Sequence, residues 1–401
     1  MNSRKAAMTG PEKKRLIIEE KCFKPFERFL ESEKYSENIY SELEAEGARL
    51  CEEYMPDTPH FFLVESARSQ AVTIHEYAVV MVYRGMLDLI FNLSSMMAAV
   101  TQTPTPPPEH AKMPWQVNML AWLEERDFWW ENEEYWWLHC AEHRTVFDYY
   151  VKGLFKFIVL HEIGHQHNLH SRGRVLQSSK DVEAATEDLG DDNPSFMHKV
   201  EPDDSDTATL SAKQNIESQA REIVADTYAF QFLVEEMYDD VCCDEEDKGK
   251  EAGLALAAAY SALSVAHLYF WGRAALAGQA SAEEIGMHGY PSHLFRIHAI
   301  EAAFLQHGFA AMCDIPASYA VSTALAQSNH TFATISKRYS FVDWRLGANH
   351  PEYEKHYRKI CDEVPKWSNG FFGVKDDELF ELISKAMEAG LEASPDVPNK
   401  E

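Results

Sequence analysis

The run Leu154-Phe155-Lys156-Phe157-Ile158-Val159-Leu160 leads straight into His161-Glu162-Ile163-Gly164-His165. A run this apolar predicts a buried helix. Such a helix cannot bring two imidazoles and a carboxylate into its apolar part without something to compensate their desolvation. Residues four apart share a helix face, so His161 and His165 present their ring nitrogens together, with Glu162 one position on. Two neutral imidazoles and an adjacent carboxylate can hold a zinc ion and supply a general base for a water at that metal. Gly164 leaves room beside the ligands.

Zinc with catalytic chemistry needs a third protein ligand and an open fourth position. His167 and His170 follow closely but fit solvent or the rim of a site better. The metzincin spacing is not met, because Asn168 and Ser171 stand where that class has Gly and its third ligand. A stronger candidate lies in the stretch 217–233, which reads as a second helix with Ile223, Val224, Phe230 and Leu233 on an apolar side. Glu222 and Asp226 are one turn apart on it. Glu222 can reach the metal, and Asp226 can accept a hydrogen bond from the outer nitrogen of a ligand histidine and fix its tautomer. Ala225 and Ala229 are small enough for the two helices to approach closely.

With His-Glu-x-x-His followed by Glu222-Ile-Val-Ala225-Asp226, the chain resembles the gluzincin zinc metallopeptidases. The resemblance is to their compact branch with Glu-x-x-Ala-Asp as second motif, which includes the HtpX-type membrane proteases and Lit-type phage-exclusion peptidases. It implies an α+β, mainly helical, zincin-type catalytic domain with a small sheet, Zn2+ as cofactor and a peptide or protein as substrate. It also implies that the strand Val79–Tyr83 forms the edge of the sheet at the site, so that substrate pairs with Val80, Met81 and Val82. Tyr290-Pro291-Ser292-His293-Leu294-Phe295-Arg296-Ile297 looks like the family's His-Pro-x-x-x-x-Arg-Ile block, with Tyr290 at the family's His position. Tyr290 and His293 are both placed to donate to an oxyanion, with His288 a third candidate. Arg296 is placed to pair with a buried carboxylate such as Asp226.

Composition narrows the partners. The 401 residues carry a net charge of −28 and are 45% hydrophobic, which gives a globular core and disfavours nucleic acid or an anionic membrane surface. Seven scattered cysteines, with no Cys-x-x-Cys, fit reduced thiols in the cytoplasm, and the N-terminus shows no secretory pattern. Residues 253–272 contain no Lys, Arg, Asp or Glu and are long enough to span a bilayer. Their Ala and Ser content favours a buried helix over a membrane span, with His267 a core histidine. Oligomeric state is not legible.

Along the chain, residues 1–58 read as an N-terminal helical region, 59–310 as the catalytic domain and 311–401 as a C-terminal helical region. Two insertions interrupt the domain. Residues 101–140 begin with a proline-rich linker and continue with Trp115, Trp122, Trp129, Trp130, Trp136 and Trp137, an aromatic helical lobe that packs internally. Residues 178–211 form an acidic surface loop without periodicity, and 239–250 a second acidic loop.

Overall fold

The computed structural model is mainly helical, with one small mixed sheet. It describes residues 10–111 (with short interruptions), 127–168, 212–240, 245–276, 291–306 and 351–368, together with single positions 123, 326 and 330. In chain order these are helix α1 (Gly10–Lys21), strand β1 (Arg28–Phe29), helix α2 (Ile39–Tyr54) and strands β2 (His60–Glu65), β3 (Ala71–Ile74) and β4 (Val79–Tyr83). Helices α3 (Arg84–Val100), α4 (Ala141–His167), α5 (Ala212–Asp239), α6 (Glu245–Leu276), α7 (His293–Gln306) and α8 (Pro351–Trp367) follow. The acidic stretch 178–211 and most of 311–401 lie outside the described residues.

Strand alternation explains the sheet's two faces. Phe61, Leu63, Val80 and Val82 enter the main core, which they share with α2, α3 and α4. Phe62, Val64, Val79, Met81 and Tyr83 face the other way and join Phe29 and Ile18 beneath α1. The strand order is β1-β2-β4-β3, with β2 and β4 parallel and the outer pairs antiparallel. The strand carrying Val80, Met81 and Val82 is therefore interior, with both its edges paired, and the expectation that it forms the sheet edge is corrected. The reason is local. A single 3-10 turn at His75–Tyr77 and Ala78, at φ 50° and ψ 57°, reverse the chain so tightly that β3 folds back onto β4. The free edge beside the central helix belongs to β3.

Helix α4 is the axis of the fold. Every residue from Gly153 to Gly164 is buried, as the apolar run requires. Lys156 lies inside this stretch and is neutralised rather than exposed. Its Nζ is 3.0 Å from Glu46 on α2, 2.8 Å from Glu236 on α5 and 3.0 Å from Asp240. Arg49 adds a second cation to Glu46 and Glu236. Burial works against ionised Glu46, but Arg49 and Lys156 outweigh it and bring the carboxyl down to about 2.

Helix α6 contains the charge-free stretch. Its Gly253–Phe270 segment is long and apolar enough to cross a membrane, but 89% of it is buried, among α3, α4, α5 and α7. Glu245–Lys250, expected as loop, forms the first turns of this helix. Between Asp127 and Cys140 the chain contains turns and one 3-10 helix rather than a helical lobe. Its aromatics do pack inward. Phe128 and Trp130 meet Phe91 of α3 at 5.4 and 5.1 Å, Trp130 meets Phe147 of α4 at 5.9 Å, and Trp137 is fully buried. Asp88 of α3 accepts the Phe128 N–H at 3.3 Å and fixes the segment to the core. Trp115 and Trp122 lie outside the described residues.

The contact between α4 and α6 depends on Gly153. A Cβ there would lie 2.5 Å from the Ala259 Cβ and 2.9 Å from its Cα, so a backbone would have to shift. Gly153→Ala is expected to destabilise the fold by about 1–3 kcal/mol. Adding Ala259→Gly should recover much of that loss. Thermal unfolding of the single and double variants measures both, and equal melting temperatures for wild type and Gly153→Ala would contradict the packing.

Candidate metal centre

Helices α4 and α5 approach most closely beside Gly164. A Cβ on Gly164 would meet the Ala225 Cα and carbonyl oxygen at 3.2 Å and the Tyr228 ring at 3.1 Å. This near-contact of a glycine with an alanine sets the helix separation that brings Glu222 to the two histidines. Asn168 closes α4 directly after the site, its backbone N–H and its Nδ2 both donating to the Gly164 oxygen, at 3.1 and 2.8 Å.

His161, His165 and Glu222 each offer one ligand atom into a common space. The two Nε2 atoms are 3.1 Å apart. His161 Nε2 lies 3.4 Å from Glu222 Oε2, and His165 Nε2 lies 3.4 Å from Glu222 Oε1. Metal–ligand bonds of about 2.0–2.1 Å in a tetrahedron imply ligand atoms roughly 3.3 Å apart. The separation of the two imidazole nitrogens is close to that edge, each imidazole lies 3.4 Å from a different oxygen of Glu222, and the donor set, two imidazoles and one carboxylate, suits zinc. Glu222 is buried, and among the described residues its Oε2 faces the His161 ring at 3.4 Å and the Arg296 guanidinium at 3.8 Å. Burial raises its carboxyl, but His165 and His161 overcome this and hold it well below the usual range, so the residue is an anion aimed at the ligand nitrogens.

Asp226 lies on the far side of His161, its Oδ1 2.9 Å from Nδ1. Arg296 of α7 holds Asp226 with two hydrogen bonds, Nε to Oδ2 and Nη2 to Oδ1, both 2.7 Å. Asp226 has no solvent exposure. Burial would raise its carboxyl, and Arg296 and His161 bring it down instead. A proton on Nδ1 facing Asp226 leaves the Nε2 lone pair for a metal. Burial disfavours a charged His161, yet Asp226 and Glu222 outweigh it and raise the imidazole to about 9.

Glu162 follows His161 on the same helix and is buried. Burial raises its carboxyl, the neighbouring His161 and His165 draw it down, and the net direction is upward. Its carboxylate accepts the backbone N–H of Thr73 on β3. A carboxylate of raised proton affinity beside the ligand nitrogens suits a general base.

The other predicted residues divide. Tyr290 and His288 lie outside the described residues. His293 opens α7, but its Nδ1 lies 3.1 Å from Nδ1 of His267 on α6, and its ring stacks with Phe270. Burial and the nearby Arg296 push His293 down to about 3, so it is a neutral imidazole in the α6–α7 contact. His167 is exposed and stacks against Tyr228. Val80, Met81 and Val82 sit on the interior strand. Thr73, which contacts the base through its backbone, has no side-chain signature in the sequence. The charge pattern at Glu46, Glu236 and Asp240 forms a second carboxylate trio, but the Lys156 ammonium sits among its oxygens and is the cation there.

No protein-family model matches the chain, and no curated protein or solved structure matches it significantly.

The His161 proton and a metal compete for one nitrogen. Because Asp226 and Glu222 raise this imidazole to about 9, zinc affinity should climb roughly tenfold per pH unit from pH 7 towards 9 and then level off. Competition titrations against a chelator of known affinity measure this, and a flat profile over that interval would contradict the site. Asp226→Asn is expected to weaken zinc binding roughly 10–100-fold.

Proposed function

We propose that this chain is a zinc-dependent endopeptidase with a zincin-type catalytic domain. The observation that carries the reading is the set of three mutual separations among His161 Nε2, His165 Nε2 and the Glu222 oxygens, with Glu162 buried beside them. When bound, the metal supplies a Lewis acid that polarises a carbonyl and acidifies water. The chain's own residues do the rest. His161, His165 and Glu222 hold the ion, and Asp226, clamped by Arg296, keeps His161 in the ligating tautomer. Glu162 takes the proton of the attacking water and returns it to the leaving amine.

The substrate in this reading is an extended peptide. Of the four strands, β3 has an outer edge next to α4, and the pairing turns Ala71 and Thr73 outward there. An added strand on this edge places a backbone carbonyl near the ligands. This replaces Val80, Met81 and Val82 as the docking positions. The oxyanion donor is not assigned to His293, whose Nδ1 is engaged with His267; Tyr290 keeps that role as a sequence-based candidate. A membrane-associated protease is the weaker reading, because the apolar stretch of α6 is enclosed by protein in this fold. A structural zinc protein is weaker too, because such a site has no use for the buried Glu162. Cys51, Cys140 and Cys361 are free thiols, which agrees with a cytoplasmic setting.

The test is cleavage of a proteome-derived peptide mixture, read by mass spectrometry, with wild type and Glu162→Gln at matched zinc content. The expected result is cleavage by the wild type alone, abolished by chelation, with the variant reduced at least a hundredfold. Cleavage that survives chelation, or equal cleavage by Glu162→Gln, would overturn the proposal. Glu222→Ala is expected to lose zinc under dialysis conditions that leave the wild type loaded.

A further inference from the structure

The edge strand and the base are joined by a backbone bond. The Tyr83 N–H donates to the Gln70 oxygen at 3.0 Å, which makes Gln70 and Tyr83 a hydrogen-bonded pair of the antiparallel ladder. Such pairs alternate along the strand. Val72 opposite Met81 and Ile74 opposite Val79 are therefore the next bonded pairs. Ala71 and Thr73 fall between them, with N–H and C=O turned away from β4. For Thr73 this outward direction leads to α4, where its N–H meets the Glu162 carboxylate. Two further contacts hold the strand in place. The Thr73 hydroxyl donates back to the Val79 oxygen at 3.4 Å, and Gln166 Nε2, one turn past Glu162, reaches the His75 oxygen at 3.5 Å.

We infer that Thr73 is a positioning residue for Glu162: its outward N–H holds the carboxylate against the strand edge on which an extended peptide would lie, so that edge and base keep one fixed relation. A carboxylate on a helix is free to rotate about its terminal bond, and a single N–H on one oxygen removes that freedom. The same residue's C=O also points off the edge, where it can accept an N–H from an added strand. The placing of substrate relative to the base is thus set within one residue. The catalytic part of this inference rests on the endopeptidase reading; the Thr73–Glu162 bond does not.

The bond is tested by amide hydrogen exchange on the full-length, zinc-loaded chain, read by NMR. The Thr73 N–H has no strand partner, so its protection reports on the carboxylate. In Glu162→Met, which fills similar volume without an acceptor, the Thr73 amide should exchange about 10–100 times faster. In Glu162→Gln, whose side-chain oxygen still accepts, it should stay close to wild type. Val72 and Ile74, held by the ladder, should not change in either. Equal exchange at Thr73 in Glu162→Met and wild type would overturn the bond.

The positioning role is tested on the same peptide mixture. Thr73→Pro deletes the N–H at a position where no ladder bond is lost. It is expected to lower kcat roughly 10–100-fold with little change in KM and with full zinc content. Thr73→Val keeps the N–H and should lose far less. A folded, zinc-loaded Thr73→Pro that cleaves at the wild-type rate would overturn the positioning role while leaving the endopeptidase reading intact. Absence of cleavage by the wild type would overturn the endopeptidase reading, and the exchange contrast would still decide the bond.

Discussion

Two carboxylates, Glu222 and Asp226, are buried one turn apart on α5, and the packing of three helices answers to their charge. Neither can stay ionised in the core without partners, since an uncompensated buried charge costs several kcal/mol. Arg296 of α7 meets both oxygens of Asp226 with a two-pronged guanidinium, and His161 of α4 shares Oδ1 with it. Glu222 faces the imidazoles of His161 and His165. The helices carrying these groups must come close, and small residues make that possible where Gly164 faces Ala225. Packing and electrostatics therefore specify the same geometry. A helix displaced by an ångström would lose both the glycine contact and the compensation of two anions.

The same principle appears earlier on α4, just before the two histidines. Lys156 is as deeply buried as the leucines around it and is held by Glu46, Glu236 and Asp240 from two different helices. Charge clusters thus tie α4 to α5 at two points on opposite sides of a purely apolar stretch. Before Lys156 on the same helix, close packing of Gly153 on Ala259 brings α6 against it. On another side the site borders β3, the outer strand of the sheet among the described residues, whose Ala71 and Thr73 are buried against α4.

The sequence was most informative where one side chain serves two constraints. His161, Glu162 and His165 interrupt an apolar run, so the run predicts burial and the interruption predicts a ligand. Glu222 and Asp226 at helical spacing, followed by Ala229, predicted a face that the structure turns to those histidines. The pairing of Arg296 with Asp226 was also legible, because a buried carboxylate needs a cation. Less was legible where pairing rather than pattern decides. Val79–Tyr83 and Ala71–Ile74 are both short and β-branched, and no alternation in them says which lies at the edge. The reversal at Ala78, a non-glycine residue at positive φ, made that choice without a turn signature. The Thr73 contact is made by backbone and leaves no trace in residue type. Tyr290 and His293 stand as alternative oxyanion donors on the resemblance of their block, and what the block does not show is that His293 Nδ1 faces His267 and its ring stacks on Phe270 of α6. The aromatic segment was expected to pack, and it does, but Asn132 and its neighbours form turns where helix was expected.

The most direct test of the central claim is X-ray absorption at the zinc edge on the purified, metal-loaded chain, together with its metal stoichiometry. The account predicts one zinc per chain with two imidazole nitrogens and a carboxylate oxygen, all at about 2.0–2.2 Å, and no sulfur. The imidazole signature should vanish in a His161→Ala, His165→Ala double variant. A shell containing sulfur, substoichiometric metal after exposure to excess zinc, or an unchanged spectrum in the double variant would show that these residues do not form the metal centre.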